Sequence, residues 1–158
     1  MGVTAARRAG AASTARSGLF AEPRLTMRPG VFVYCRWPRG LDVPVAKVVA
    51  VVGEDDGFTV IMSEARAKRL QLVPLVRCRW ISLGPKSASD GVGLTAGAAA
   101  ALADVGIACN LIAALDHDHL FVPVRHSARA MLRLQAFVHA ARVVDPGPLT
   151  ICRVTRPV

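Results

Sequence analysis

The sequence predicts an α+β protein built from two related halves, each laid out on a βαββαβ plan. Three observations carry that prediction. Apolar runs of strand length alternate with Gly- and Pro-rich breaks, and two longer stretches repeat with helical period. The third is an echo within the chain. Cys35-Arg36-Trp37 recurs as Cys78-Arg79-Trp80, and Glu64-Ala65-Arg66-Ala67 recurs as Ser127-Ala128-Arg129-Ala130. The first pair falls on a strand that opens each half, and the second opens a helix directly after a hairpin.

Taken in order, Val31–Trp37 reads as a strand closed by Pro38 and Gly40. Strands at Lys47–Val52 and Phe58–Met62 flank the turn Gly53-Glu54-Asp55-Asp56-Gly57, and Ser63 is placed to cap a short helix over Glu64–Leu70. Val76–Leu83 is the next strand, stopped by Gly84-Pro85. The stripe Leu94, Ala98, Leu102 and Val105 predicts a helix ending at Gly106. Ile107–Leu115 and His119–Val124 read as strands joined by Asp116-His117-Asp118. A last helix, Ser127–Val138, turns Ala130, Met131, Leu134, Phe137 and Val138 inward. Cys152-Arg153 suggests a closing strand over Leu149–Val154. The unit is then the ferredoxin-like βαββαβ, with the first helix of the first copy reduced to Pro38–Ala46.

Composition narrows the function. Apolar residues make up 53% and charged residues 20%, a balance that builds a core rather than a disordered chain. No run approaches the roughly 20 apolar residues a membrane helix needs, and residues 1–22 lack the apolar segment of a signal peptide. A cytoplasmic protein is expected. The net charge of +9 is concentrated at the front, where residues 1–40 hold seven arginines against the single acid Glu22. A phosphate-reading surface normally belongs to the folded body, so nucleic acid is not the expected partner. The stripe Arg125, Arg129 and Arg133 reads as a solvated helix face. Cys35, Cys78, Cys109 and Cys152 stand apart with no CxxC pair, which argues against a zinc knuckle or a redox motif. No cofactor is expected.

Several of these residues carry a family resemblance. Gly93-Leu94-Thr95-Ala96, Ala101-Leu102-Ala103, Gly106-Ile107, Asn110 and the run His117-Asp118-His119-Leu120-Phe121-Val122-Pro123 resemble a bacterial family of tandem ACT-domain proteins. So do Pro29-Gly30, Asp56-Gly57 and Cys78-Arg79-Trp80-Ile81. The resemblance implies ACT-type halves at 28–76 and 77–140, between an N-terminal extension (1–27) and a C-terminal tail (141–158). It further implies a regulatory module that binds a small effector, an amino acid first, with pairing in a homodimer or between the two halves. The alternatives are a basic nucleic-acid-associated protein and a purely structural interaction module.

The expected ligand site is the loop into the second-half helix. Asp90, Gly91, Val92, Gly93, Leu94 and Thr95 bring glycines that permit close backbone approach to a helix start whose N–H groups favour a carboxylate. Asn110, the polar side chain in an apolar strand, is the candidate for the ligand's other end. His117 and His119 form a second candidate at the hairpin tip. Alternation turns both imidazoles to one side and Asp118 to the other, so a single metal ion does not collect all three. No Ser or Cys shows a nucleophile motif, and no catalytic residue is expected.

Overall fold

The computed structural model describes residues 24–84 and 93–143. Their strands are β1 (Arg24–Met27), β2 (Phe32–Trp37), β3 (Ala50–Glu54), β4 (Gly57–Ser63), β5 (Val76–Gly84), β6 (Asn110–Ala113) and β7 (Asp118–Pro123). The helices are α1 (Glu64–Arg69), α2 (Leu94–Ala103) and α3 (Ser127–Val143), and single 3₁₀ turns lie at Val45–Lys47 and Val124–His126. One antiparallel sheet holds all seven strands in the order β3-β4-β2-β5-β7-β6, with β1 also paired to β5.

β5 joins the halves. Its first residues pair with β2, Tyr34 opposite Val76 and Phe32 opposite Cys78. Its later residues pair with β1 on that same edge, from Met27 opposite Ile81 to Arg24 opposite Gly84. The other edge of β5 pairs with β7 from Cys78 to Leu83. A ferredoxin-like unit orders its strands fourth, first, third, second. The second half meets that order as β1-β5-β7-β6, and the first half as β5-β2-β4-β3. β5 is therefore the last strand of one unit and the first strand of the other.

Two features of the sequence-based plan change. Residues 24–27 are not extension but strand β1, with Leu25 and Met27 packed on the second-half core. The boundary drawn between Val76 and Arg77 falls inside β5. The predicted strand Leu149–Val154 lies outside the described residues, as does the 1–22 segment. The place beside β5 that a closing strand would take is filled by β1.

The helices form as their caps and stripes direct. Ser63 Oγ accepts the Arg66 backbone N–H at the start of α1. Beyond α2, Gly106 (φ 68°) donates its N–H to Ala103 O and Ile107 to Leu102 O, a Schellman closure that needs a left-handed residue. That closure ends the helical path, and Ile107–Cys109 serves as a connector, so β6 is shorter than the predicted strand. α2 and α3 bury Ala98, Leu102, Ala130, Leu134 and Val138 against Ile81, Leu83, Leu120 and Val122. In the first half Val33, Cys35, Trp37, Val60, Met62 and Ala67 form a separate core beneath α1.

The basic stripe of α3 is not wholly a solvated face. Arg129 donates to Val105 O, and Arg133 Nε donates to Ala101 O at 3.0 Å. Both guanidinium groups thus meet carbonyls at the C-terminal end of α2, where the helix dipole favours cations.

Candidate ligand site

The helix start that the sequence singles out is built as follows. β5 ends at Gly84, and α2 opens at its N-cap Gly93, which holds φ 93° and supplies no side-chain cap. The first hydrogen bond of the helix runs from Gly97 N–H to Gly93 O, 2.7 Å. Among the described residues, a Cβ built at Gly93 meets nothing within 4 Å, although the left-handed φ disfavours any other residue. Leu94 packs partly onto the second-half core. Asp90, Gly91 and Val92 lie outside the described residues.

Thr95 does not cap the helix. Its hydroxyl donates to Asp118 Oδ2 at 2.8 Å, and Asp118 is fully buried at the start of β7. A buried carboxylate is costly unless hydrogen-bonded, so this bond ties the first turn of α2 to β7. The tie also brings the helix start and the hairpin tip to one end of the sheet. His117 lies against Gly84, where a Cβ would come within 2.5 Å of its ring.

Asn110 is elsewhere. It is exposed on the edge strand β6, opposite Phe121, and shares Phe121's face of the sheet, away from the helices. Thr95 and Asp118 lie on the helix side. One small ligand held by the α2 start does not also reach the Asn110 amide, so the structure corrects that pairing.

The helix-free face of the sheet, the one that carries none of the described helices, is lined by rings. Phe32 meets Trp80 edge-on at 5.1 Å, Tyr34 meets Phe121 edge-on at 5.7 Å, and Trp80 stacks on Phe121 at 6.1 Å. These contacts leave Phe121 only 2% exposed. Cover for this aromatic comes in part from the other half of the same chain, through Tyr34 of β2. Burial pushes the Tyr34 phenol well above its ordinary range, outweighing the nearby Asn110 side chain, which favours ionisation. His119 Nδ1 sits 3.2 Å from Trp80 Nε1 and 3.3 Å from Ser82 Oγ, and the His117 and His119 rings lie parallel 6.4 Å apart. No periodicity or motif signals the Trp80–His119 bond, because it depends on the register of β5 against β7.

Burial pushes the Cys78 and Cys109 thiols up to about 11 and raises Cys35 as well, so all three behave as small apolar side chains. Among the described residues no group of three His, Cys, Asp or Glu side chains is placed to hold a metal. No helix among them is long and apolar enough to cross a membrane.

The two interlocked units and their helix-flanked sheet define an ACT-type α+β fold. Residues 17–79 match the family described as ACT domain. Among solved structures it is similar to a Vibrio cholerae protein of unknown function described as a possible transport protein. That likeness has 29% identity and a TM-score of 0.65, covering 74% of this chain and 91% of that one. An Agrobacterium tumefaciens protein is similar at 19% identity and a TM-score of 0.55 over 75% of this chain and 91% of its own. A putative C-terminal regulatory domain of aspartate kinase from Porphyromonas gingivalis shares the fold at 13% identity and a TM-score of 0.51, over 73% and 96% of the two chains. No match was found among the curated proteins.

Proposed function

We propose that this chain is a non-catalytic regulatory module that senses a small molecule, with an amino acid as the first candidate. The carboxylate is held at the start of α2. The observation that supports this reading is the pairing of an uncapped, glycine-led helix start with the Thr95–Asp118 bond beneath it. The first-turn N–H groups receive no side chain from the N-cap residue, and the helix dipole adds a favourable field for an anion. The bond to Asp118 keeps that turn in place before a ligand arrives, which lowers the entropy lost on binding. His117, at the same end of the sheet, supplies the second contact in place of Asn110. A nucleic-acid role on the α3 stripe is the weaker reading, since Arg129 and Arg133 are engaged with α2.

The test is a thermal-shift panel of amino acids and nucleotides, followed by calorimetric titration of each hit. A ligand at 100 times its Kd raises stability by about 2.7 kcal/mol. Gly93→Val should lose binding by tenfold or more, roughly the worth of one charge-assisted hydrogen bond, and Asn110→Ala should leave affinity unchanged. Loss in Asn110→Ala with Gly93→Val intact would move the ligand to the helix-free face. A panel without a hit would remove the sensing role.

A further inference from the structure

Arg77 and Arg79 of β5 both turn toward the helix side of the sheet. Arg77 stands opposite Val33 of β2, which belongs to the core beneath α1. Arg79 stands opposite Val122 of β7, which belongs to the core beneath α2 and α3. Residues directly opposite across an antiparallel ladder share a face. The two guanidinium groups therefore rise along the seam where the helix layers of the two halves part.

Their circumstances differ. Arg77 Nε donates to Glu64 Oε1 of α1 at 2.7 Å, and Lys68 Nζ lies 3.9 Å from Glu64 Oε2. Arg79 is half-buried, and among the described residues no carboxylate pairs with it. Its Nη2 makes a long bond of 3.4 Å to Arg28 O at the surface, and its Nε is buried without an acceptor. A guanidinium always carries its charge and has only donors to offer. Leaving those donors without acceptors away from water is costly.

The charge around Arg79 is one-sided. The 3₁₀ turn Val124–His126 follows Pro123, which lies opposite Cys78, and brings the exposed Arg125 beside the same stretch of β5. Lys68, Arg77, Arg79 and Arg125 thus surround one described acid, Glu64. Glu54, Asp55 and Asp56 belong to the β3–β4 turn, and Asp42 to the connection after β2. Asp104 pairs with Arg133 beyond α2, and Asp116 and Asp118 belong to the β6–β7 hairpin.

We propose that this seam is a docking surface for an acidic segment of a partner protein, in which Arg79 receives a carboxylate as Arg77 receives Glu64. The planar guanidinium fork matches a carboxylate, and hydrogen bonds between the two are of the stronger, charge-assisted kind. A nucleic-acid backbone fits less well, because it needs a long line of free cations. Arg129 and Arg133, which would extend the surface along α3, are engaged with carbonyls of α2. The seam lies toward the Val76 end of β5 and the α2 start toward its Gly84 end. Docking here is thus separate from effector binding, and its test needs no small-molecule ligand.

A hexaglutamate peptide titrated into the full chain, followed by NMR through the arginine Nε–H resonances, tests the proposal. The Arg79 resonance should move as the peptide binds, and affinity should fall as salt is added. Arg79→Gln should weaken the peptide tenfold or more, roughly the contribution of one charge-assisted hydrogen bond. Arg36→Gln, on the opposite face and paired with Asp56, should bind as the wild type does. An Arg79 resonance that the peptide leaves unmoved would overturn the proposal, as would full affinity in Arg79→Gln or an equal loss in Arg36→Gln. Tighter binding at Arg79 of inorganic pyrophosphate or of a short DNA duplex would also overturn it, in favour of a phosphate ligand. The wild-type titration decides by itself should Arg79→Gln fail to fold.

Discussion

The two halves share a plan and differ in their helix layers. The second half lays α2 and α3, ten and seventeen residues, over its part of the sheet. The first half has only a 3₁₀ turn and the six-residue α1. The outcome shows at the surface. Among the described residues, every exposed large apolar side chain except Leu115 and Leu132 belongs to the first half, from Leu41 and Val45 through Val73 and Leu75. Helix area sets how much sheet surface is removed from water, and each fully buried Val or Leu contributes about 1.5–3 kcal/mol. The first half therefore depends more on what it shares, and what it shares is β5.

That contrast can be broken at its joint. Removing residues 1–27 takes away β1, with its ladder along Ile81–Gly84 and the packing of Leu25 and Met27. The loss should be on the order of 4 kcal/mol, from two apolar side chains and several hydrogen bonds. Removing 1–22 should leave the melting temperature unchanged. Amide exchange on the shorter chain should quicken first along Ile81–Gly84 and the second-half core. A first half that stays protected after the second half has opened would contradict the dependence argued here.

A medium effect sharpens the account of the second half. An exposed helical Gly→Ala substitution ordinarily stabilises by about 1 kcal/mol. At Gly97, however, a Cβ would stand 2.7 Å from the Phe137 ring, because α2 and α3 approach there through the missing side chain. Gly97→Ala should thus destabilise by about 1–3 kcal/mol in urea denaturation, and Phe137→Leu should relieve part of it. Stabilisation by the single change would show that the helices do not pack this closely.

The smallest effect concerns the first half's own tie to β5. Arg77 Nε donates to Glu64 Oε1 at 2.7 Å, joining α1 to the shared strand. That bond holds the Glu64 carboxyl below its ordinary value of 4.5. A carboxyl depressed in the folded state adds stability above its unfolded value and loses it as pH falls through the folded one. The melting temperature of Glu64→Gln should therefore lie slightly below that of the wild type near neutrality and converge on it in acid. Identical curves throughout would leave the contact without consequence.

Much of this molecule can be read from its sequence, and the exceptions have physical causes. The stripes Leu94–Val105 and Ala130–Val138 became buried helix faces because period 3.6 admits one inward side. Ser63 and Gly106 acted as the caps their chemistry suggests. β1 escaped notice because its Leu25-Thr26-Met27 core is too short for alternation to register, and its stability comes from a strand more than fifty residues away. The double role of β5 was invisible for the same reason. A periodicity says which side of a strand is buried, not how many neighbours it has. Asn110 is the instructive error at the site. Alternation sets it opposite Leu111, and Leu111 packs beneath the helices, so that pattern already directed the amide away from α2.

The shared strand has a consequence for how this chain can be divided. A cut in the connection at residues 70–75 would leave one piece with β1 to β4 and another with β5 to β7. Neither is a complete unit: the first lacks its fourth strand, and so does the second, because each strand resides on the opposite piece. The severed ends form a reciprocal pair whose recognition surface is backbone ladder along both halves of β5. Expressed separately and mixed, the pieces would find each other by completing two folds at once, which makes this protein a natural starting point for a split reporter.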